Sequence, residues 1–320
     1  MGIIGAGRHG ERYIRHLAEV AGTHLAAVCR RDRVEGEALA ARHGSAFHGD
    51  WRALIDDPRV DAIVTVVPPI HHRAIAEAAC SARKPILIEK PMATTLEDAR
   101  HIVAMVERSG ITAMVAQTLR FDATVDAVRA HLDAIAPLHG LTLVQRFEPS
   151  PLAWLDRRAE SGGGVLLHTG VHSIDLLRLL SRREVTDVAC VTSRIATRET
   201  EDNFVMLARL GGVPALATVA GSRGLGGRTG LIEAAGAGGQ IVADHVRAEG
   251  SLVRGGERTR LAIAEFVPTV REVLRAFVAS VTEGVPVPVT VIDGARSLAI
   301  IDACYRSAAM NGAPAAVEPV

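Results

Sequence analysis

Hydrophobic positions in the first third of the chain switch repeatedly between two periods. Ile3 and Ile4 make a short apolar run, and Tyr13, Ile14, Leu17 and Val20 then recur at helical spacing. The alternation continues with a strand over 24–29, a helix over 33–43, a strand over 62–67, a helix over 70–82 and a strand over 85–88. A helix over 94–109, with Leu96, Ala99, Ile102, Val103 and Val106 on one face, leads to a strand over 111–116. Such alternation predicts βαβ units and a parallel, doubly wound sheet. Beyond this the pattern changes. After a helix over 124–135 come extended stretches at 141–147, 185–195, 203–210, 215–221, 231–235 and 240–245. Several alternate apolar with polar, as in an antiparallel sheet with one covered face. The glycine-rich stretches 221–230 and 236–239 lie between strands with no helix after them, so they read as turns. Helices over 269–283 and 293–310 close the chain, the second opened by the capping-type Thr290-Val291-Ile292-Asp293. The expected fold is α/β, with a doubly wound domain over 1–121 and an α/β domain with a mostly antiparallel open sheet over 122–320.

Composition narrows the class. The 320 residues are 48% hydrophobic and 22% charged, a globular balance with enough length for two domains and a large core. With 36 basic against 36 acidic residues, overall charge favours neither nucleic acid nor an anionic membrane as partner. No apolar run approaches the roughly 20 residues of a membrane span. The opening residues lack the basic, apolar and cleavage regions of a signal peptide. Cys29, Cys80, Cys190 and Cys304 lie far apart without a Cys-x-x-Cys pair. They are expected to be reduced thiols of a cytoplasmic protein.

Two motifs in the first domain carry chemistry. Gly5-Ala6-Gly7-Arg8-His9-Gly10 sits between a strand and a helix, the context in which a G-x-G-x-x-G turn receives a pyrophosphate at a helix N-terminus. The second strand closes on Arg30 and Arg31 before Asp32. A carboxylate there would repel a 2′-phosphate, whereas a guanidinium pairs with it bidentately, so NADP(H) is expected over NAD(H). The competing reading places Asp32 on the ribose and leaves both arginines solvated. Pro68 and Pro69 break the sheet ahead of a helix, which suits a loop over a nicotinamide; the adjacent His71 and His72 read as helix-start polar residues. The other motif is Pro85-Ile86-Leu87-Ile88-Glu89-Lys90-Pro91, a strand that delivers Glu89 and Lys90 to its carboxyl end. Among 36 basic residues only Lys84 and Lys90 are lysines. An ammonium, unlike a guanidinium, can be brought by burial to a pKa at which it exchanges protons.

The second half has one loaded segment, Ser161-Gly162-Gly163-Gly164-Val165-Leu166-Leu167-His168-Thr169-Gly170-Val171-His172-Ser173-Ile174-Asp175. Helical periodicity puts His168, His172 and nearly Asp175 on one face. Titratable groups on an otherwise apolar helix are costly unless they line a cavity. The two histidines at i, i+4 fit zinc, but no third ligand accompanies them; helix-surface histidines are the plain alternative, and acid–base chemistry is the favoured reading.

Taken in order, the 5–10 turn, Glu89-Lys90-Pro91, Arg120-Phe121 and the 162–175 segment resemble the Gfo/Idh/MocA family of NAD(P)-dependent oxidoreductases, relatives of glucose–fructose oxidoreductase and inositol dehydrogenase. The resemblance covers essentially the whole chain. It implies a Rossmann domain plus an α/β domain whose open sheet is buried in a homodimer or homotetramer. It places the family's catalytic lysine on Lys90 and its catalytic histidine on His172, with pocket residues on Arg120, Thr169 and the 154–156 loop. One position departs from the pattern: His168 stands where relatives usually carry an aspartate. His172 then works as a base of lower pKa, recruits Asp156 or Asp175, or does not catalyse. The expected catalytic set is Lys90, His172 and His168. The expected cofactor contacts are Gly5, Gly7, Arg8, His9, Gly10, Arg30, Arg31, Pro68, His72, Glu89, Lys90 and Gln117. Substrate contacts are expected at Arg120, Trp154, Asp156, Thr169 and Asp175, with no metal. The implied activity is NADP(H)-dependent hydride transfer, NAD(H) being the alternative cofactor, with a carbinol or carbonyl of a sugar or polyol. A non-catalytic NAD(P)-binding sensor on the same fold is the alternative function.

Overall fold

Six short strands organise the N-terminal part of the molecule: β1 (Gly2–Ile4), β2 (Ala27–Cys29), β3 (Ala46–His48), β4 (Ile63–Thr65), β5 (Ile86–Glu89) and β6 (Ala113–Ala116). The structure, a computed structural model, describes all 320 residues. These strands pair in parallel in the order β3-β2-β1-β4-β5-β6. Helices α1 (Gly10–Leu17), α2 (Arg33–His43), α3 (Trp51–Asp56), α4 (His72–Ser81) and α5 (Leu96–Ser109) connect them. β1, β2, β4, β5 and β6 are buried along their whole length, as in a sheet covered on both faces. Sequence order turns back between β1 and β4, which creates the crevice at the strands' carboxyl ends where doubly wound folds bind ligands.

A buried carboxylate ties this crevice together. Glu89, the last residue of β5, accepts hydrogen bonds from Tyr13 Oη at 2.6 Å and His9 Nε2 at 2.7 Å, and from the Lys90 amide at 2.9 Å. Burial pushes the Glu89 carboxyl up, but the His9 and Tyr13 bonds and the nearby Lys90 charge outweigh it and hold the pKa at about 2.

The second unit begins with α6 (Ala123–His131), β7 (Leu138–Phe147), the four-residue α7 (Arg158–Ser161) and α8 (Val171–Ser181). Seven strands follow: β8 (Val185–Ser193), β9 (Asn203–Leu210), β10 (Leu216–Arg223), β11 (Thr229–Gly236), β12 (Gly239–Asp244), β13 (Glu249–Arg254) and β14 (Glu257–Arg260). With the terminal β15 (Ala315–Ala316) they form a sheet ordered β14-β13-β12-β11-β7-β10-β9-β8-β15, antiparallel except where β10 runs parallel to β7. β9 shows the alternation most clearly. Phe204, Met206, Ala208 and Leu210 are buried, whereas Val205 and Leu207 are exposed. Val191 on β8 pairs with Val205, so an apolar row lies open on the outward face.

The glycine run feeding α8 has a steric cause. Glu201 Oε1 accepts the Gly164 and Leu166 amides and the Tyr305 hydroxyl, and its carbonyl accepts the Val165 amide. A Cβ on Gly164 would collide with the Glu201 carbonyl oxygen, and one on Gly163 with the Tyr305 hydroxyl.

Two C-terminal helices, α9 (Thr269–Thr282) and α10 (Val291–Ala309), change the division of the chain. The compact units are Met1–Gln117 with Pro268–Ala295, and Thr118–Val267 with Arg296–Val320. The single cut expected after residue 121 therefore misses a returning segment. α9 packs on α1, Arg271 reaches Glu19 at 3.2 Å, and the Val115 amide donates to the Val289 carbonyl at 3.0 Å. Asp293 and Thr290 exchange side chain-to-backbone bonds as the capping pattern predicts. No helix is long and apolar enough to cross a membrane.

Two stability predictions follow from these locks. Gly164→Ala is expected to lower the unfolding free energy by about 1–3 kcal/mol in urea titration, because backbone must move to admit the methyl group. Glu89 titrates below its ordinary value of 4.5, so its contribution is complete above that pH and is lost as pH falls toward about 2. Glu89→Gln is expected to cost about 2–3 kcal/mol at neutral pH and to flatten the acid limb of the stability profile; equal acid slopes in both proteins would contradict the assignment.

Candidate active site

The glycine turn leaves β1 through Gly5, whose φ of +93° is disfavoured for side chain-bearing residues. A Cβ on Gly5 would strike the Val66 carbonyl, and one on Gly10 the Gly5 carbonyl. Gly7 differs: nothing lies within 4 Å of where its Cβ would stand. It is the place where a ligand's phosphates can approach the backbone, at a helix start whose first N–H groups have no intrahelical acceptor. Arg8 and His9 are exposed on the turn, and the His9 ring is held by Glu89.

Arg30, at the end of β2, reaches back over this turn. Its Nη1 donates to the Ala6 carbonyl at 3.2 Å and to Glu11 at 3.4 Å, and its Nη2 lies 3.8 Å from Glu35. Arg31 is exposed. Asp32 spends a carboxylate oxygen on the Glu35 amide as the N-cap of α2.

Further along the strand ends, Pro68 is half-buried ahead of the short helical turn Pro69–His71. His72 is buried, and its Nδ1 donates toward the Pro91 and Met92 carbonyls at 3.1 and 3.3 Å. Burial drives its pKa down to about 4, so the ring is neutral. It braces the segment that follows Lys90 instead of facing a cofactor with a charge. Glu89 is likewise a brace, since its oxygens are taken by Tyr13, His9 and the Lys90 amide. Tyr13 was invisible as a site residue in the sequence, where it reads only as a core position of α1. Gln117 stands just past β6, 1% exposed, with neither end of its amide hydrogen-bonded; Thr65 Oγ1 and His72 Nε2 are also buried without partners. Orphaned polar atoms at the carboxyl ends of β4 and β6, with open space over Gly7, fit a dinucleotide whose groups supply the missing bonds. Lys90 is half-buried at the end of β5.

The second unit holds the remaining expected residues. Residues Leu166–Gly170 form a π-helical turn before α8. The regular spacing assumed for His168, His172 and Asp175 therefore does not hold, and the three side chains have different surroundings. His168 is buried, with Nε2 2.9 Å from the Ser161 carbonyl and its ring edge-on to Trp154 at 5.5 Å. His172 is half-buried in the first turn of α8. Asp175 is bound by both arms of Arg120, at 2.7 and 2.6 Å, so these two expected substrate contacts are committed to each other.

Asp156 has a structural task as well. It accepts the Arg198, Glu199 and Thr200 amides at 2.8–3.1 Å. Burial raises its pKa, and these amide bonds overcome that and bring it to about 2. Asp156, expected from the sequence to contact substrate, thus fastens the 198–200 loop. Thr169 is buried and accepts a bond from Arg223 Nη2 at 3.0 Å. Arg223 was not anticipated; nothing marks it in a chain so rich in arginine.

Comparison with known proteins adds an independent line. Residues 1–117 match the model for an oxidoreductase family with an NAD-binding Rossmann fold, and residues 127–242 match the GFO/IDH/MocA C-terminal domain. The chain is 32% identical to inositol 2-dehydrogenase 2 of Saccharopolyspora erythraea, over 99% of this chain and 95% of that protein. It is also 32% identical to a 1-carboxy-3-chloro-3,4-dihydroxycyclohexa-1,5-diene dehydrogenase of Comamonas testosteroni, over 55% of this chain and 46% of that protein, so here the match spans about half the relative's length. Among solved structures, levoglucosan dehydrogenase in complex with NADH superposes with a TM-score of 0.91 at 23% identity, covering 100% of this chain and 99% of that one, a likeness of fold. The glycine turn, the Glu89-Lys90-Pro91 strand end, the glycine-fed histidine helix and these matches converge: the chain belongs to the Gfo/Idh/MocA family of oxidoreductases.

Proposed function

We propose that the protein is an NADP(H)-dependent oxidoreductase that moves a hydride between nicotinamide and a carbinol or carbonyl carbon of a sugar, polyol or related small molecule. The observation that carries this is Lys90, half-buried at the carboxyl end of β5 in the unit that bears the glycine turn, with Glu89 bonded to its amide. The inositol and levoglucosan dehydrogenases among its relatives support the substrate class.

Gly7, the start of α1 and Gln117 would hold the dinucleotide, which supplies the hydride donor or acceptor when bound. The Lys90 ammonium stabilises negative charge as it develops on the substrate oxygen. His172 takes the hydroxyl proton on its imidazole in oxidation and returns it in reduction. His168, with Nε2 on the Ser161 carbonyl and its edge against Trp154, holds the helix start and loop in place, a positioning task suited to the site of the usual aspartate. Arg30 favours the 2′-phosphate of NADP(H), because Asp32 is spent on its cap and the Glu11 and Glu35 contacts are long and partly solvated. The exposed apolar row of Val191, Val205 and Leu207 supports a homo-oligomer formed through the open sheet. Four free, buried cysteines fit a reducing compartment such as the cytoplasm.

A second reading, an NAD(P)-binding sensor, is favoured by the absence of a carboxylate at position 168. Turnover separates the two. With NADP⁺ and a panel of inositols and aldoses, Lys90→Met and His172→Ala are each expected to lower kcat by about 10²–10⁴ while the Kd for NADPH stays within a few-fold. Turnover of no panel member by the wild type would favour the sensor. For the cofactor, Arg30→Asp is expected to shift the NADPH/NADH ratio of Kd values about ten- to a hundredfold toward NADH; an unchanged ratio would leave Arg30 a solvated loop charge.

A further inference from the structure

The second unit contains a cavity of about 190 Å³ beneath the 149–156 segment. Ser150, Asp156, His168, Thr197, Thr200 and Arg223 are among its lining residues. Its acidic and basic groups are matched unevenly. Asp156 is spent on the amides of 198–200, and Asp202 on those of Ile195, Ala196 and Thr197. Glu201 spends Oε1 on Gly164, Leu166 and Tyr305, while its Oε2 is buried without a hydrogen-bond partner, 3.9 Å from Arg158 Nη2. Asp156 and Asp202 thus turn their lone pairs toward their own loops, and Glu201 turns one of its two oxygens toward the helix start.

Arg223 has no such match. It ends β10, and its amide is fixed to the Asp202 carbonyl at 2.8 Å. Its guanidinium makes one bond, from Nη2 to Thr169 Oγ1 at 3.0 Å, and its buried Nε has none. No carboxylate lies within ion-pair distance of it. The contrast with other enclosed arginines of this unit is plain: Arg120 grips Asp175 and Arg178 grips Glu184, each through two bonds. Leaving a buried charged donor without a partner costs free energy that folding alone does not return. Burial, and the neighbouring Arg228 after it, pull the Arg223 pKa down, as expected for a cation lacking a counter-ion.

We propose that Arg223 is a specificity residue that receives an anionic substituent, a carboxylate or a phosphate, of the substrate entering this cavity. The inference rests on the oxidoreductase reading above and names the substrate class: an acidic sugar or polyol in place of a neutral one. A planar guanidinium with a free Nε edge is the group best shaped for a two-oxygen anion. Its existing bond to Thr169, three residues before His172, couples the bound charge to the helix that presents the proposed base. Thr197, Thr200 and Ser150 add hydroxyls suited to the remaining oxygens.

The test uses the whole protein with NADP⁺ and three matched probes: D-glucose, D-glucuronate and D-glucose 6-phosphate. The wild type is expected to prefer at least one anionic probe over glucose in kcat/KM by about thirtyfold, and Arg223→Gln to abolish that preference through KM more than kcat. Arg223→Lys is expected to restore part of it, and an unchanged Kd for NADPH reports that each variant is folded. Preference for glucuronate alone assigns the cavity to carboxylates, and preference for the phosphate alone to phosphoryl groups. Equal handling of glucose and both anions by the wild type, or retention of the preference in Arg223→Gln, overturns the proposal. A parallel thermal-shift series with the same probes separates the two levels of inference. Anion-dependent stabilisation that disappears in Arg223→Gln, without turnover of any probe, keeps the anion site and rejects the oxidoreductase reading; no stabilisation and no turnover rejects the anion site.

Discussion

A carboxylate buried among apolar strands is tolerable only if its charge is fully answered, and Glu89 shows what that requirement organises. Its partners come from the helix after the glycine turn, from the turn itself and from the first residue beyond β5. A single side chain therefore fixes the distance between the segment expected to meet phosphates and the lysine expected to meet the reacting oxygen. Tyr13 must lie at the core-facing position of α1 for this to work, and it is completely buried there. The same bonds keep Glu89 ionised far below neutrality, so the Lys90 end of the strand has a permanent negative neighbour.

The second unit uses a buried carboxylate, Glu201, in a related way, through one of its two oxygens. That carboxylate answers buried amides at the start of a helix, a task for which helix N-termini have a standing electrostatic preference. Because Glu201 and Tyr305 crowd the helix start, side chains are excluded from positions 163 and 164. The glycines that look like a flexible feed into the helix are a consequence of close packing. The π-helical turn that follows rotates the histidines relative to one another, which is how His168 comes to face Trp154 and Ser161.

These details explain what was legible in the sequence and what was not. Helix α2 runs over the residues expected of it because its signals are local: Asp32 caps it and Gly44 ends it with a positive φ. Strand β9 is equally clear, since its apolar alternation registers one covered face. Strands β13 and β14 escaped notice because one is mixed and the other, Glu257–Arg260, is exposed throughout, an edge with no hydrophobic signature. β3 is a three-residue edge strand, half-buried and too short to show a period. At the site, residue types pointed to the right segments, but the pairings of Arg120 with Asp175 and of Asp156 with the 198–200 loop join residues 42 to 55 positions apart. Periodicity carries no information about such partners, so groups that looked available for a ligand turned out to be engaged.

The return of Pro268–Ala295 to the first unit has a consequence for how the chain is made. The glycine turn, the lysine and all six parallel strands lie within the first 117 residues, yet that unit also needs α9 against α1 and the bond from Val115 to Val289. On a ribosome the nucleotide-binding half emerges first and waits, with part of its apolar surface uncovered, while some 150 residues of the other unit are synthesised. Closure of the N-terminal core belongs to the last stage of synthesis. The second unit in turn waits for Arg296–Val320, so neither unit is complete until the C-terminal segments have been made.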